Sequence, residues 1–175
     1  MEFDILNLIY ALSPVKVMVL KSTPYIPTLR ASLQKGSEER IPRLYAQILE
    51  ELGYVEILDK LPSPQELTKL RFSHIQQRSS LMKLDDYFYI SVSGMVAKLE
   101  EKARKETDIM LLKVVERAKE DFSEVYNIRI SNIFRAIQFR SLDTISKFLT
   151  LEERTLATLL YQLLESWLRR YTLVR

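Results

Sequence analysis

Lys35-Gly36 … Ile41-Pro42-Arg43-Leu44-Tyr45-Ala46 … Gly53-Tyr54-Val55-Glu56-Ile57 spells, in order, a turn, a helix begun by proline, a glycine stop and a strand. Proline at the first helical position gives up no hydrogen bond, and its fixed φ suits the helix. Leu44, Tyr45, Ile48, Leu49 and Leu52 recur at helical spacing, which predicts one apolar face. Gly53 is free to take the left-handed conformation that ends a helix, and Val55 and Ile57 then share one face of a strand. The stretch predicts a small unit containing β-structure, with no reactive centre in it.

On the N-terminal side, Glu2 to Ala11 reads as a short helix with Phe3, Leu6, Ile9 and Tyr10 on one side, stopped by Pro14. Val15 to Lys21 is the clearest strand, its valines alternating on one face. Pro24 and Pro27 interrupt the ladder where that strand leaves the sheet. Thr28 to Leu33 then reads as a second strand, turning near Gly36 before the Pro42 helix, and Tyr54 to Leu58 closes the sheet.

On the C-terminal side, Asp59-Lys60-Leu61-Pro62-Ser63-Pro64 is a stiff linker, dividing the chain into residues 1–61 and 62–175. Ser63-Pro64-Gln65-Glu66 is a capping-box signature. Beyond it the chain reads as helical almost to its end, with helices over about Pro64–Ser79 and about Asp86–Lys105. A long helix follows from Asp108 to about Phe139, spanning roughly 48 Å, with a stripe of Leu111, Val115, Ala118, Phe122 and Val125. The β-branched Ile128 and Ile130 beside Asn127 predict a bend or break in it. A second capping box, Thr150-Leu151-Glu152-Glu153, opens the last helix. Its stripe is Leu156, Leu159, Leu160, Leu163, Leu164, Trp167 and Leu168, and Arg169, Arg170 and Arg175 suit its negative end. The predicted fold class is α+β: a mainly α-helical bundle domain preceded by a small domain of strands and helix.

A chain of 175 residues holds one ordinary domain, or a small one plus a medium one. It contains no cysteine, which excludes disulfides and thiolate metal sites and suits a reducing, cytoplasmic setting. Glu2 and Asp4, with no basic region before an apolar run, predict no secretory signal. The longest apolar runs, such as Ile109-Met110-Leu111-Leu112, fall far short of the roughly 20 residues of a membrane span. The formal charge of +3 (26 basic minus 23 acidic residues) is too small to argue for nucleic acid by itself.

His74 is the only histidine, so no paired-histidine metal site exists, and its mid-helix place beside Phe72, Ile75 and Gln76 predicts a structural role. The three glycines stand apart, which rules out a glycine-rich phosphate cradle. Asp85-Asp86 is readable as an acid/base or metal pair, but adjacent carboxylates ahead of a helix predict a cap. Glu100-Glu101 and Glu152-Glu153 read as charges on helix surfaces. No catalytic residue, metal or cofactor is predicted. The basic runs Lys98 … Lys102, Arg104-Lys105 and Arg169-Arg170 are interleaved with Glu100, Glu101 and Glu106 in their neighbourhood, the pattern of a solvated face. Two other readings stay open: a winged-helix-like nucleic-acid-binding module on the Pro42 helix, and an enzyme using Asp85, Asp86 and His74. Glu50 and Glu51 share the Pro42 helix with Arg43 and weigh against the first.

Wide apolar helix faces bury their excess against a partner. Tyr87-Phe88-Tyr89 has the aromatics of a base-stacking platform, but acids flank it, so packing or a subunit contact is expected. Trp167 is either core or an interface anchor. The candidate subunit-interface residues are Tyr87, Phe88, Phe122, Tyr126, Phe134, Leu160, Leu163, Leu164, Trp167 and Leu168.

The order of short helix, strand (Val15 to Leu20), Gly36 … Ile41-Pro42-Arg43-Leu44-Tyr45-Ala46 … Leu49 … Gly53 … Val55-Glu56-Ile57 resembles the small β-rich domain of GINS replication-complex subunits, in those where that domain comes first. Such subunits carry a similar Gly … Pro-x-x-x-Ala-x-x-Leu pattern. Glu66-Leu67-Thr68-Lys69-Leu70, then Asp86-Tyr87-Phe88-Tyr89, is similar to the opening of the GINS helical domain, with Asp85-Asp86 where prolines stand in the family. Arg117 to Ile137 fits its long third helix, and the likeness runs from about residue 5 to residue 170. It implies a non-enzymatic archaeal-type subunit without cofactors, pairing with a paralogous GINS subunit, as a 2:2 heterotetramer or as four copies of one chain. The implied partners are the MCM helicase, a RecJ-like (Cdc45-related) protein and, in some lineages, primase, at nucleoid-associated replication forks, with DNA touched only indirectly or weakly.

Overall fold

Val15, Val17 and Val19 alternate with Lys16 and Met18, and all three valines are fully enclosed, so strand β1 (Pro14–Val19) has one face given wholly to a core. The computed structural model describes residues 2–59 and 61–171. β1 is the central strand of a three-stranded antiparallel sheet, flanked by β2 (Glu38–Pro42) and β3 (Val55–Ile57). Val15 lies opposite Ile41, Val17 opposite both Glu39 and Ile57, and Val19 opposite Val55. Helix α1 (Glu2–Leu12) precedes the sheet, and α2 (Arg43–Glu51) connects β2 to β3. Leu33, Ile41, Ala46 and Val55 complete the buried cluster, with Leu29, Leu49, Tyr54 and Ile57 packed against it.

Three features of this unit differ from the sequence reading. The second strand is Glu38–Pro42, whereas over residues 28–33 no strand forms: residues 27–30 make a turn closed by a single bridge between Ile26 and Ala31, and 32–33 are irregular. Only Ile41 of β2 faces the core, so its Glu-Glu-Arg run shows no alternation and reads as loop; charge on an edge strand also discourages stray pairing. Pro42 ends that strand with φ −56° and ψ 138°, outside the helix, so α2 starts at Arg43. Helix α2 turns Ala46 and Leu49 inward and leaves Leu44, Ile48 and Leu52 exposed, because Ala46 lets the helix approach the sheet closely. Gly53 does end the helix in the left-handed region, at φ +71°.

The remaining helices are α3 (Pro64–Gln76), α4 (Phe88–Glu106), α5 (Ile109–Gln138), the short α6 (Leu142–Ile145) with a 3-10 turn (Ser146–Phe148), and α7 (Leu151–Tyr171). The Ser63 capping box forms: Glu66 N donates to Ser63 Oγ at 3.2 Å and Ser63 N to Glu66 Oε2 at 2.7 Å. Thr107 at φ +52° reverses the chain after α4, and Asp108 Oδ1 caps α5 by accepting from Met110 N and Leu111 N at 2.8 and 3.0 Å. Helix α5 packs against α3, α4, α6 and α7. Val115, Ala118 and Val125 are buried as its stripe requires, while Leu111 and Phe122 are half-buried.

No break interrupts α5 at Asn127-Ile128-Arg129-Ile130; it runs as one helix for 30 residues, about 45 Å. The small propensity cost of two isoleucines is outweighed there by enclosed side chains, Arg129 and Ile133 among them. The fold is α+β, and the chain divides into two compact units, Met1–Leu61 and Pro62–Arg175. No described helix is long and apolar enough to cross a membrane. Arg175 lies outside the described residues.

Candidate functional site

The first turn of α7 carries the densest chemistry. Its capping box is reciprocal: Glu153 N donates to Thr150 Oγ1 at 3.1 Å, and Thr150 N to Glu153 Oε2 at 2.9 Å. That geometry points the Glu153 carboxylate inward, where Arg129 of α5 donates Nε to Oε1 at 2.6 Å and Nη2 to Oε2 at 2.7 Å. Arg129 Nη1 also donates to the Met82 carbonyl at 2.8 Å and to His74 Nε2 at 3.2 Å, and Nη2 to the Phe148 carbonyl at 3.0 Å. All five guanidinium hydrogens are thus used. The Tyr89 hydroxyl donates to Glu153 Oε1 at 2.6 Å.

Glu152 points the other way and accepts from Ile90 N at 2.9 Å and Tyr89 N at 3.3 Å, serving the free N–H groups at the start of α4. The helix read as capped by Asp85-Asp86 is therefore capped from α7. Tyr87 holds the N-cap position without capping the helix through its side chain, and Asp86 instead accepts from Arg154 Nη2 at 2.8 Å. Glu152 and Glu153 are buried, contrary to the expectation of surface charges. Glu100 and Glu101 do lie in a mixed-sign face, paired with Arg104 and Lys105 one turn on.

Burial would raise the Glu153 carboxyl, but the Arg129 guanidinium hydrogen-bonded to it holds it below the usual carboxylate range. Burial, with the Glu153 charge adding, pushes the Tyr89 hydroxyl strongly upward. Burial raises Glu152, against the two backbone donors that favour its charge. The Leu70 carbonyl accepts from His74 Nδ1 at 3.0 Å, and Arg129 can only donate to Nε2, so His74 is the neutral Nδ1–H tautomer. Burial lowers its pKa, and Arg129 adds to the effect. A second buried carboxylate, Asp121, accepts from Thr68 Oγ1 and from Arg71 Nη1 at 2.8 Å, joining α3 to α5. Apart from Arg71 Nε, which lies 2.9 Å from Glu124 Oε2 as an ion pair without a hydrogen bond, the groups named in both clusters have protein hydrogen-bond partners, and the clusters hold helices together. Among the described residues no group of three or more His, Asp or Glu is placed to hold a metal ion.

The exposed surface is of a different kind. Phe134, Ile137 and Gln138 of α5 and Leu160, Leu163, Leu164, Trp167 and Leu168 of α7 line one open apolar groove of ≈ 780 Å³. Its floor belongs to the core, since Leu160 and Leu164 pack against the buried cluster that contains Ile133, Ile137 and Ala157. Its walls do not: Phe134, Leu163 and Trp167 are 52%, 68% and 55% exposed. The Trp167 and Tyr171 rings meet at a tilt, with centroids 5.5 Å apart, carrying the apolar strip to the end of α7.

Of the candidate interface residues, Phe134, Leu160, Leu163, Leu164, Trp167 and Leu168 thus converge on the groove. Phe88 is buried and meets Tyr89 at 5.4 Å and Phe122 at 6.1 Å, inside an aromatic cluster that Tyr126 edges at 6.4 Å from Tyr89. Tyr87 is half-buried at the start of α4. Ile137, Gln138 and Tyr171 were missed, although Tyr171 continues the Leu164–Trp167–Leu168 spacing. The small unit has an apolar surface of its own, Ile5, Leu8, Ile9 and Leu12 on α1 being exposed. The chain matches no protein-family model, and no curated protein is significantly similar to it.

Proposed function

We propose that this chain is a non-enzymatic subunit of a GINS-type replication complex. In that role it pairs with a paralogous subunit, as a 2:2 assembly, and scaffolds the MCM helicase and a RecJ-like (Cdc45-related) partner, with primase a further contact. The observation that carries the reading is the α5–α7 groove, where a tryptophan, a phenylalanine and a leucine stand more than half exposed. An exposed, contiguous apolar strip rimmed by polar residues marks a protein-binding surface. The polar groups that chemistry would need are spent instead: Arg129, His74, Tyr89 and Glu153 satisfy one another inside the helical unit. The small unit before the helical one, with α2 between its second and third strands, agrees with the element order of the resemblance.

Two observations speak for assembly over the winged-helix reading. The Arg43 guanidinium lies over the Tyr10 ring at 4.3 Å, and Glu50 Oε1 accepts from Ile57 N at 2.9 Å. Arg43 and Glu50, on the helix a winged-helix reading would use for recognition, thus both face partners within their own unit.

The test is co-expression with a candidate paralogue, followed by light scattering and capture with tagged MCM helicase. The expected result is a single species of defined stoichiometry that retains the helicase. A chain that stays monomeric beside every paralogue and ignores the helicase would remove the proposal.

A further inference from the structure

We infer that the loop joining β1 to β2, residues 20–37, is a contact site for single-stranded nucleic acid, with Tyr25 stacking on a base and Lys21, Arg30 and Lys35 holding flanking phosphates. The inference goes beyond the assembly role and does not depend on it.

Charge singles the loop out. Between Asp4 and Glu38 the chain has no acidic residue, yet it carries Lys16, Lys21, Arg30 and Lys35. Lys16 is neutralised by Glu38 at 2.5 Å. Among the described residues the other three form no ion pair, and all three are exposed. On α4 and α5, by contrast, Arg104, Lys105 and Lys119 are each matched by Glu100 or Glu101.

The loop is also preorganised. Thr23 N donates to the Leu33 carbonyl at 2.9 Å, and Leu33 N returns to Thr23 Oγ1 at 3.0 Å. Ile26 N donates to the Ala31 carbonyl at 2.9 Å, and Lys35 N to Ser22 Oγ at 3.1 Å. Leu33 is buried in the sheet core and Leu29 packs against it, anchoring the tip. A ligand meeting such a loop loses little affinity to ordering it.

Tyr25 decides between kinds of polyanion. It is 62% exposed while Leu29 and Leu33 turn inward, and along the chain it falls between Lys21 and Arg30. An acidic peptide needs only the cations and leaves the exposed ring unused. A single strand uses both, through base stacking and phosphate contact. Arg30 adds a further sign: it takes φ +52°, a conformation most easily held by glycine, and so keeps a cation at the tip against a conformational cost.

The experiment is a fluorescence-anisotropy titration of the full chain against a labelled oligothymidylate at several salt concentrations. Saturable binding is expected, with log K falling against log salt at a slope of about −2, three phosphates at roughly 0.7 each. Tyr25→Ala should weaken binding roughly tenfold. Arg30→Gly should flatten the slope by about 0.7 while leaving thermal stability equal or higher, since glycine suits that φ; misfolding is thereby excluded as the cause. No saturable binding at about 50 mM salt, or equal binding by Tyr25→Ala, overturns the inference. Competition by polyglutamate as effective as by the oligonucleotide assigns the loop to acidic peptides and overturns it too. The oligomeric state of each variant, read by light scattering, reports separately on assembly.

Discussion

Arg129 and Glu153 meet through two parallel hydrogen bonds of 2.6 and 2.7 Å, and neither side chain is more than 3% exposed. The pair connects the middle of α5 to the first turn of α7, and through the other donors of Arg129 it reaches α3, the segment before α4 and the 3-10 turn. The apolar groove begins just beyond this polar hub, with Ile133 of the cluster under its floor lying four residues after Arg129 and Leu160 seven after Glu153: Arg129 fixes where α7 begins, and the groove lies where α7 continues.

Removing one half of this pair strands the other as a buried charge. Arg129→Met should lower unfolding free energy by about 3–5 kcal/mol, read from urea denaturation. Pairing it with Glu153→Leu should recover part of the loss, because the desolvated carboxylate goes as well. A single substitution costing under about 1 kcal/mol, in the range of exposed pairs, would show that the hub is solvated.

Acid should weaken the fold in a window set by His74. Its pKa is lowered from the ordinary value, chiefly by burial and further by Arg129, so the unfolded chain takes up a proton that the folded chain refuses. That contribution to stability is complete above about pH 6.5 and is lost as pH falls from there. Glu153, also lowered, adds a second loss below about pH 4.3, whereas Glu152, raised by burial, is relieved as pH falls. Urea midpoints should drop between about pH 6.5 and pH 5.5, and His74→Gln should abolish that step. Parallel curves for the two proteins would acquit the histidine.

Gly53 and Thr107 make opposite predictions from the same conformation. Both residues have positive φ, +71° and +52°. A Cβ at Gly53 would meet only Lys21 Nζ, at 3.8 Å, so Gly53→Ala is costly for its backbone and not for space. It should destabilise by about 1 kcal/mol, and Thr107→Gly should be neutral or stabilising. Thermal melts of the two variants moving in the same direction would contradict this.

Local chemistry was the legible part of the fold. Ser63 with Glu66, Thr150 with Glu153, and the alternating Val15, Val17 and Val19 announce themselves because each signal lies within a few residues. The hub was not read, because a glutamate in a first helical turn looks like any surface charge. The available sign was Arg129 itself: it falls on the Val115–Ala118–Val125–Ile133 spacing of α5, and so does Asp121, and a charge on an apolar stripe calls for a buried partner. Strand β2 was missed for the converse reason, having one inward residue and no period to detect. The exposed face of α2 shows that spacing identifies an apolar stripe without saying what covers it; Ala46, the smallest residue there, took the inward place.

Trp167 separates a surface made for a partner from a core left incomplete. Trp167 and Leu163 are more than half exposed, so Trp167→Asp or Leu163→Asp should change the stability of the isolated chain by no more than about 0.5 kcal/mol. Leu160, one turn before Leu163, packs against the buried cluster that holds Ile133 and Ile137, and Leu160→Asp should unfold the helical unit by burying an unpaired charge. Association should respond in reverse. Buried aromatic anchors dominate binding energy, each commonly costing 2 kcal/mol or more on truncation, about thirtyfold in affinity. Sedimentation equilibrium of the chain, alone and with a paralogue, should therefore show Trp167→Asp folded but dissociated. If instead Trp167→Asp melts the unit as Leu160→Asp does, the groove walls belong to this chain's own core and the assembly role loses its footing.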